Sequence, residues 1–243
     1  MATILLTGHS RGLGAAMTQQ LLTAGHRVIG FSRSPITSLS PALTERLHEI
    51  PINLADPLEI EGALNPGVLA DLLRDQSQMI LINNAGLLSP IGFAGSLSTA
   101  EILQSVTANT AAAIALTNAF IKASPDCDDR RILQISSGAA RSPYAGWSVY
   151  CATKAALDHF SRAVNAEQHP RLRIESLAPG IIDTDMQAQV RATSVETFPM
   201  RPKFDQLKAS GALAKPADAA RAIIDHLFSD AFGKEVCTDI RQL

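Results

Sequence analysis

Short apolar runs alternate with segments of helical periodicity along most of the chain. The runs are rich in Ile, Leu and Val, and they occur at Thr3–Thr7, Arg27–Ser32, Glu49–Leu54, Met79–Asn83, Arg131–Ser136, Arg171–Ala178 and Glu235–Thr238. A strand that is covered on both faces is apolar throughout, so this pattern indicates a parallel sheet between layers of helices. We therefore predict an α/β fold: a doubly wound parallel sheet of about seven strands in a three-layer α/β/α arrangement.

The segments between the runs supply the predicted helices. Several open with a Ser, Asp or Pro typical of a helix N-terminus, and they cover Arg11–Ala24, Pro41–Leu47, Pro57–Arg74, Ser98–Lys122, Trp147–Glu167 and Pro216–Phe228. The stretch from Ile181 to Ala214 fits this alternation poorly, because it contains helical pieces and no strand. A long insertion after the carboxyl end of a strand is where α/β enzymes place a lid over the substrate, and we expect 181–214 to be such a lid.

Composition narrows the classes of function. The 243 residues are 46% hydrophobic, which suits one substantial core, so we expect a single domain over 1–243. Because 21 basic side chains face 23 acidic ones with no basic cluster, we expect no nucleic-acid partner. No apolar stretch reaches the ~20 residues that cross a bilayer, so we expect no membrane span. The three cysteines are widely spaced and predict free thiols.

Two further expectations concern metal and location. The histidines, His9 and His159 among them, lack the spacing of metal ligands, so we predict no metal site and expect them to be surface or packing residues. The chain runs from Met1 directly into an apolar segment without a basic region or a cleavage site. We therefore interpret this segment as a strand rather than a signal peptide and expect a cytoplasmic protein.

Three glycines, Gly8, Gly12 and Gly14, directly follow the first apolar run and lead into the first helical segment. Such glycines let the backbone approach a pyrophosphate, and the N–H groups at the helix N-terminus attract its phosphates. The alternative is an ordinary glycine-containing turn, but the position after the first strand favours a dinucleotide site. The expected cofactor contacts here are Gly8, Ser10, Arg11, Gly12, Leu13 and Gly14.

The residues after the second run favour NADP(H). An NAD-selective site usually ends its second strand with an acid that binds the ribose hydroxyls. Here Ser32 and Arg33 occupy that place, and no acid is present. Arg33 and Arg11 can form charge-assisted hydrogen bonds to a 2′-phosphate. Either arginine alone is equally consistent with a solvated surface side chain, and it is their occurrence at both places that supports NADP(H).

A tyrosine and a lysine, Tyr150 and Lys154, are spaced so that they share one face of a predicted helix. A free phenol has a pKa of about 10, and a nearby cation lowers it by stabilising the phenolate. Ser137 lies at the carboxyl end of the fifth predicted strand, the edge at which open α/β sheets bind ligands. We interpret Tyr150 as a proton donor to a substrate carbonyl, assisted by Lys154 and Ser137. Taken alone, each of these residues is at least as typical of a helix surface or a turn as of a catalytic site.

In order and spacing, these residues resemble the short-chain dehydrogenases/reductases over essentially the whole chain. The matched elements include Asn83 to Gly86 after the fourth strand, Asn109 in the next helix, and Pro179-Gly180 followed by Thr184. The resemblance implies a Rossmann-like NADP(H)-binding fold in which Asn109, Ser137, Tyr150 and Lys154 form the catalytic group. The implied further cofactor contacts are Ser32, Arg33, Asn53, Leu54, Asn84, Ala85, Gly86, Tyr150, Lys154, Pro179, Gly180, Ile182 and Thr184.

Within that family, the segments 146–151 and 178–187 are most similar to sepiapterin reductases and bacterial benzil reductases. This likeness implies a substrate with adjacent carbonyls, either a pterin side chain or a 1,2-diketone, bound against Trp147 and Met186. Packing in the core or the lid is an equal alternative for both side chains. Sepiapterin reductases hold the pterin with an aspartate near the C-terminus. A gap-free comparison puts Cys237 there, with Asp239 two residues later as the candidate replacement.

The leading interpretation is thus an NADPH-dependent carbonyl reductase for a small-molecule substrate. A broad-specificity NADP-dependent alcohol dehydrogenase is the second enzyme hypothesis. A non-catalytic NADP(H)-sensing module is the third, although such proteins usually lack the tyrosine or the lysine. The resemblance also implies pairing through the helices Ser98–Lys122 and Trp147–Glu167, so we expect a homodimer, with a tetramer as the alternative.

Overall fold

The protein, described here by a computed structural model over residues 1–64 and 76–243, contains one parallel sheet. Its strands are β1 Thr3–Thr7, β2 Arg27–Ser32, β3 Leu47–Pro51, β4 Gln78–Asn83, β5 Asp129–Ile135, β6 Leu172–Ala178 and β7 Cys237–Asp239. They lie in the order β3-β2-β1-β4-β5-β6-β7. The strand order reverses between β1 and β4, so the carboxyl ends of these two strands border the crevice in which such sheets bind ligands.

The helices in the described residues lie on both faces of this sheet. They are α1 Gly12–Thr23, α2 Pro41–Thr44, α3 Pro57–Ala63, α4 Thr99–Val106, α5 Ala112–Ala123, α6 Ser148–Ala166, α7 Asp185–Ala192, α8 Arg201–Ala209 and α9 Pro216–Phe228. A π-helical turn, Thr107–Ala111, joins α4 to α5, and 3-10 turns occupy Gly138–Ala140 and Ile240–Gln242. No helix of the described residues combines the length and apolar character needed to cross a membrane.

The alternation of side chains along the strands creates two apolar layers. Ile4 and Leu6 face α1 and α9, in one core, whereas Leu5 faces α5 and α6 in the other. All three strand residues are at most 1% exposed. Both faces of the sheet are therefore covered, which explains the continuous apolar runs in the sequence and confirms the predicted fold class.

Several predicted boundaries are wrong at the edges of the sheet. Strand β3 begins earlier and ends at Pro51, because this edge strand is only half-buried and lacks the long apolar run of the central strands. Consequently Asn53 and Leu54 lie in the turn that follows β3. Helix α2 ends at Thr44 instead of Leu47. The predicted helix Pro57–Arg74 is wrong in its length, because α3 ends at Ala63 with Leu64 as its C-cap; the predicted end, Arg74, lies outside the described residues.

The long predicted helix Ser98–Lys122 is interrupted. The π-helical turn divides it after Val106, and hydrophobic periodicity gave no sign of this turn. The expected lid contains α7 and α8, as its helical pieces suggested, and an isolated parallel bridge between Ile182 and Ala214 closes its base. As expected, the segment holds helical pieces and no strand, and this isolated bridge lies outside the strands of the sheet.

Candidate active site

A cleft of about 690 Å³ opens at the carboxyl ends of the central strands. It extends from the glycine turn after β1, past the ends of β4 and β5, to helices α7 and α8. Every residue that we predicted as a cofactor contact lines it: Gly8, Ser10, Arg11, Gly12, Leu13, Gly14, Ser32, Arg33, Asn53, Leu54, Asn84, Ala85, Gly86, Tyr150, Lys154, Pro179, Gly180, Ile182 and Thr184. The fold thus brings together residues that are far apart in the sequence.

The glycine turn has the shape that a dinucleotide requires. Gly12 has a φ of +54°, a backbone conformation that residues with a Cβ rarely adopt, and Gly14 lies so close to Gly8 that a Cβ would collide with the Gly8 carbonyl oxygen. Helix α1 begins at Gly12, and its first N–H groups lack partners within the helix. The turn and the helix N-terminus therefore fit a pyrophosphate.

Two arginines, Arg11 and Arg33, lie at the same end of the cleft, and both are exposed. Across the described residues, no side chain forms an ion pair with either. Of the described residues that line the cleft, the single acid is Asp185, at the start of α7. The two guanidinium groups are thus available to an anion, and the local charge is positive.

His9 lies beneath this turn, where sequence reasoning placed a surface or packing residue. It is 1% exposed, and its Nε2 lies 2.6 Å from Glu49 Oε1. The imidazole packs against Gly30 of β2, where a Cβ would contact its ring atoms. His9 is therefore a buried packing residue that ties the glycine turn to β3.

The floor of the cleft is built by Asn84 after β4. Its Nδ2 donates hydrogen bonds to the carbonyl oxygens of Thr7 and Gly8, at 2.9 and 3.2 Å. The Thr7 hydroxyl oxygen accepts the N–H groups of Asn84 and Ala85, each at 2.9 Å. These bonds lock the ends of β1 and β4 together and fix the position of the glycine turn.

Tyr150 lies on the first turns of α6, with its ring at the centre of the cleft and only 7% of the residue exposed. Burial raises the pKa of the Tyr150 phenol, and a hydrogen bond with Ser137 opposes that rise. The sequence-based expectation of a lowered pKa is therefore wrong in direction, because burial outweighs the favourable contacts. A phenol with a raised pKa keeps its proton at neutral pH, as a proton donor must.

Lys154 lies one helical turn after Tyr150 and is 3% exposed. Its Nζ lies 5.9 Å from the Tyr150 ring centroid and donates a hydrogen bond to the Ile135 carbonyl oxygen, 2.7 Å away. Burial lowers the pKa of Lys154 to about 8, and the negative charge of Asp158 limits that fall. At pH 7 the ammonium form therefore predominates.

Asn109, the fourth predicted catalytic residue, does not line the cleft. It lies in the π-helical turn, 1% exposed, and binds the backbone of Leu87 through both ends of its amide: Oδ1 accepts the N–H at 2.6 Å and Nδ2 donates to the carbonyl oxygen at 2.8 Å. Nδ2 also lies 3.2 Å from the Thr153 hydroxyl oxygen. The structure thus places Asn109 behind the cleft wall, beside Lys154.

The far end of the cleft is apolar and aromatic. Trp147 stacks on Phe198 with ring centroids 4.4 Å apart, and its ring centroid lies 5.6 Å from that of Tyr150. Met186 of α7 also lines the cleft. Trp147 thus lines the cleft and also packs against Phe198 and Phe204.

Asp239, the third predicted substrate residue, does not line the cleft. Its carboxylate accepts two hydrogen bonds from the Arg241 guanidinium, at 2.8 and 2.5 Å, and Arg241 lines the cleft instead. The guanidinium holds the pKa of Asp239 below its usual range. Sequence reasoning missed Arg241, since its place over Gly180 depends on how the last residues fold back.

Other lining residues that sequence reasoning missed are lid and loop side chains without a motif. They include Leu88, Tyr144, Val190, Lys203 and Phe204. Among the residues that the structure describes, no cluster of three His, Cys, Asp or Glu side chains is arranged to hold a metal ion.

Comparison with known proteins agrees with this geometry. Residues 2–195 match the family model described as short chain dehydrogenase. Benzil reductase ((S)-benzoin forming) from Bacillus cereus is 33% identical over 240 residues, with 96% of each chain covered. Sepiapterin reductase from Bos taurus is 32% identical over 244 residues, which cover 94% of this chain and 90% of the relative.

A solved structure shares the fold over the full length. The short-chain dehydrogenase/reductase from Burkholderia vietnamiensis is 38% identical and superposes with a TM-score of 0.72, covering 100% of this chain and 98% of that one. The family match spans more than half of the chain, and the relatives match almost all of it. The chain therefore belongs to the short-chain dehydrogenase family of oxidoreductases, which use NAD(P)H.

Proposed function

We propose that this protein is an NADPH-dependent carbonyl reductase whose substrate is an apolar 1,2-dicarbonyl compound. The observation that carries the proposal is that Tyr150, Ser137 and Lys154 line the same cleft, with the Lys154 Nζ 5.9 Å from the centroid of the buried Tyr150 ring. The whole of 1–243 then acts as one catalytic domain, with 181–214 as the lid over the substrate.

The charge at the glycine turn supports NADPH as the cofactor. Arg11 and Arg33 are free of ion pairs within the described chain, and Ser32 stands where an NAD-selective site has an acid. Charge-assisted hydrogen bonds from two guanidinium groups favour a 2′-phosphate over a hydroxyl. Bound in this cleft, the nicotinamide supplies the hydride for the reaction.

The proton comes from the chain itself. Tyr150 holds the proton at its phenolic oxygen because burial raises its pKa, and Ser137 is hydrogen-bonded to the same group. Negative charge that develops on a substrate oxygen at this point is stabilised by both hydroxyl groups, and Tyr150 then protonates it. The Lys154 ammonium stabilises the phenolate that remains. Asn109 supports this arrangement from behind by fixing Leu87.

The substrate end of the cleft favours a diketone over a pterin. Trp147 and Phe204 provide flat apolar surfaces for a ring substituent. Asp239, the candidate anchor for a pterin, is already bound by Arg241, and Cys237 lies outside the cleft lining as well. Of the described residues that line the cleft, Asp185 is the single acid, and it is exposed.

Assembly and location follow from other features. We propose a homodimer formed through α4 and α6, because Leu103 and Val106 of α4 are 62% and 42% exposed. Apolar side chains that are exposed together favour association with a second copy. The three cysteines are free, which suits a reducing cytoplasm.

The test is a steady-state assay of the purified protein with NADPH or NADH and benzil, 1-phenyl-1,2-propanedione, sepiapterin or simple monoketones. We expect the highest kcat/KM with NADPH and a diketone, and loss of turnover in Tyr150→Phe with NADPH binding retained. Preference for sepiapterin would overturn the diketone assignment, and equal use of monoketones would favour a broad-specificity alcohol dehydrogenase. Tight NADPH binding without turnover of any carbonyl would overturn the enzymatic proposal.

A further inference from the structure

A buried carboxylate, Asp158, lies on α6 one turn after Lys154, and it is 4% exposed. Its Oδ1 accepts hydrogen bonds from the Ser136 and Ser176 hydroxyl groups, at 2.6 and 2.7 Å. Its Oδ2 accepts one from Arg141 Nε at 3.0 Å. Burying a charge is costly unless it is paired and hydrogen-bonded, and here both oxygens are engaged.

These partners enclose the turn that carries Ser137. Ser136 directly precedes Ser137, and Arg141 directly follows the 3-10 turn Gly138–Ala140 that Ser137 caps through its hydroxyl oxygen. Both ends of the turn therefore converge on the Asp158 carboxylate. The Arg141 guanidinium also donates to the Thr238 carbonyl oxygen at 2.9 Å, which ties the turn to β7.

The same carboxylate acts on Lys154 through its charge. Positions i and i+4 of a helix are neighbours, so Lys154 and Asp158 lie on the same face of α6. The negative charge of Asp158 opposes the fall in the Lys154 pKa that burial causes. Without that charge, a larger share of Lys154 would be neutral at physiological pH.

We propose that Asp158 is a positioning residue for the reaction at Tyr150: its carboxylate clamps both ends of the Ser137 turn and provides the counter-charge of the Lys154 ammonium. This inference rests on the proposed function, because it assigns Asp158 a part in that reaction. Asp158 itself does not line the cleft and does not touch the reacting atoms.

The pH dependence that follows has identifiable contributors. On α6, Tyr150 precedes Lys154 and Arg162 follows Asp158. From the packed elements, Arg141 binds the carboxylate, and Cys237 Sγ lies 3.5 Å from the backbone carbonyl oxygen of Asp158. Burial and the negative charge of Asp158 both raise the pKa of the Cys237 thiol, so it stays neutral where Lys154 titrates. Asp158 is thus the one carboxylate among these groups.

The test is Asp158→Asn, which keeps the size of the side chain and removes its charge. We expect kcat for diketone reduction to fall roughly tenfold to a hundredfold through misplacement of Ser137, with the NADPH Kd unchanged. We expect the alkaline limb of the kcat/KM profile to move about one pH unit lower, because loss of a nearby anion lowers the pKa of Lys154.

A second readout needs neither cofactor nor turnover. Native Lys154 loses its proton at a lower pH than unfolded Lys154, so the free energy of unfolding rises with pH once native Lys154 deprotonates. In Asp158→Asn, urea unfolding measured across pH should place the start of this rise about one unit lower. A merely structural role would lower stability at every pH without moving that start.

The matched control is Glu175→Gln on β6. Glu175 is 0% exposed, does not line the cleft, and binds His226 Nε2 at 2.9 Å, the Gly233 N–H at 3.0 Å and the Thr238 hydroxyl. We expect it to lower stability and leave both pH profiles in place. A folded Asp158→Asn protein whose profiles coincide with those of the wild type would overturn the proposal. An inactive wild type would instead overturn the proposed function, while the unfolding readout would still test Asp158.

If Asp158→Asn does not fold, Arg141→Met provides the second variant, because the Arg141 side chain is 33% exposed and its loss is less disruptive. Removing this cation leaves the Asp158 charge to act on Lys154 alone. We therefore expect the start of the stability rise to move to higher pH, opposite to Asp158→Asn. No movement, or movement to lower pH, contradicts the assigned role.

Discussion

The Lys154 ammonium donates a hydrogen bond of 2.7 Å to the Ile135 carbonyl oxygen, the last residue of β5. This bond fixes α6 to the strand whose end carries Ser137. It also leaves a cation in an almost fully buried position, where burial lowers its pKa from 10.5 to about 8. The site therefore contains a lysine whose titration can be detected in the stability of the fold.

The first prediction concerns the pH dependence of stability in Lys154→Met. The pKa is lower in the folded state, so between pH 8 and 10.5 the unfolded chain binds more protons and stability rises with pH. We expect this contribution to reach roughly 2 to 3 kcal/mol in the wild type and to be absent from Lys154→Met. Urea unfolding at several pH values measures it. Parallel curves for the two proteins would contradict the pKa shift.

The second prediction concerns the Ser137 hydroxyl. Its hydrogen bond lowers the pKa of Tyr150 against the effect of burial, so Ser137→Ala should raise that pKa further, by about one unit for a bond of ordinary strength. Oxidation of the corresponding alcohol requires the phenolate form of Tyr150. The acid limb of the pH–rate profile for this oxidation should therefore move to higher pH. The control is Ser148→Ala, an exposed serine on the first turn of α6. An acid limb that stays in place in Ser137→Ala would contradict the influence of the Ser137 hydroxyl on the Tyr150 pKa.

The third prediction concerns the π-helical turn. Asn109→Ala removes both bonds to the Leu87 backbone and leaves a partly buried N–H and carbonyl group without these partners. We expect a loss of roughly 1 to 3 kcal/mol in the free energy of unfolding, together with a lower kcat. Asn109→Asp retains an acceptor for the Leu87 N–H but sets a buried carboxylate oxygen against the Leu87 carbonyl oxygen, so it should also lose stability. Thr110→Ala on the same turn is the control, and equal losses in Thr110→Ala and Asn109→Ala would contradict the assignment.

The sequence predicts the sheet well because its central strands are covered on both faces. Strands β1 and β2 begin and end where the apolar runs do, whereas the half-buried edge strand β3 is displaced. The π-helical turn escapes prediction because an extra residue in a helix leaves no mark in a short apolar pattern. Asn109 was thus identified by resemblance, while its place behind the cleft wall required the structure.

Motif residues of the site were predictable because glycine, tyrosine and lysine are required at particular backbone positions. The direction of the Tyr150 pKa shift was not predictable, because the burial of Tyr150 depends on segment 181–214 and on Trp147. No local spacing in the sequence encodes that packing. Arg241 was not predicted as a cleft residue for a similar reason. It reaches the cleft because the last residues of the chain pass over Gly180. Long-range packing, rather than local pattern, sets these features.

The fourth prediction concerns cofactor choice at Arg33. If its guanidinium binds the 2′-phosphate, Arg33→Ala loses a charge-assisted hydrogen bond, and the NADPH Kd should rise roughly tenfold to a hundredfold. NADH lacks that phosphate, so its Kd should stay within about twofold. Arg33→Asp should reverse the preference, because an acid at the end of β2 repels the phosphate and can bind the ribose hydroxyls. Fluorescence titration of the reduced cofactors measures both constants.

The control for this last prediction is Arg221→Ala, an exposed arginine of α9 that does not line the cleft. It changes the net charge of the chain by the same amount, so it separates contact with the phosphate from long-range attraction, which salt screens. Arg11→Ala tests the second cation in the same way. Equal weakening of NADPH and NADH in Arg33→Ala would show that Arg33 shapes the turn instead of recognising the phosphate, and NADP(H) selectivity would then have to come from Arg11 alone.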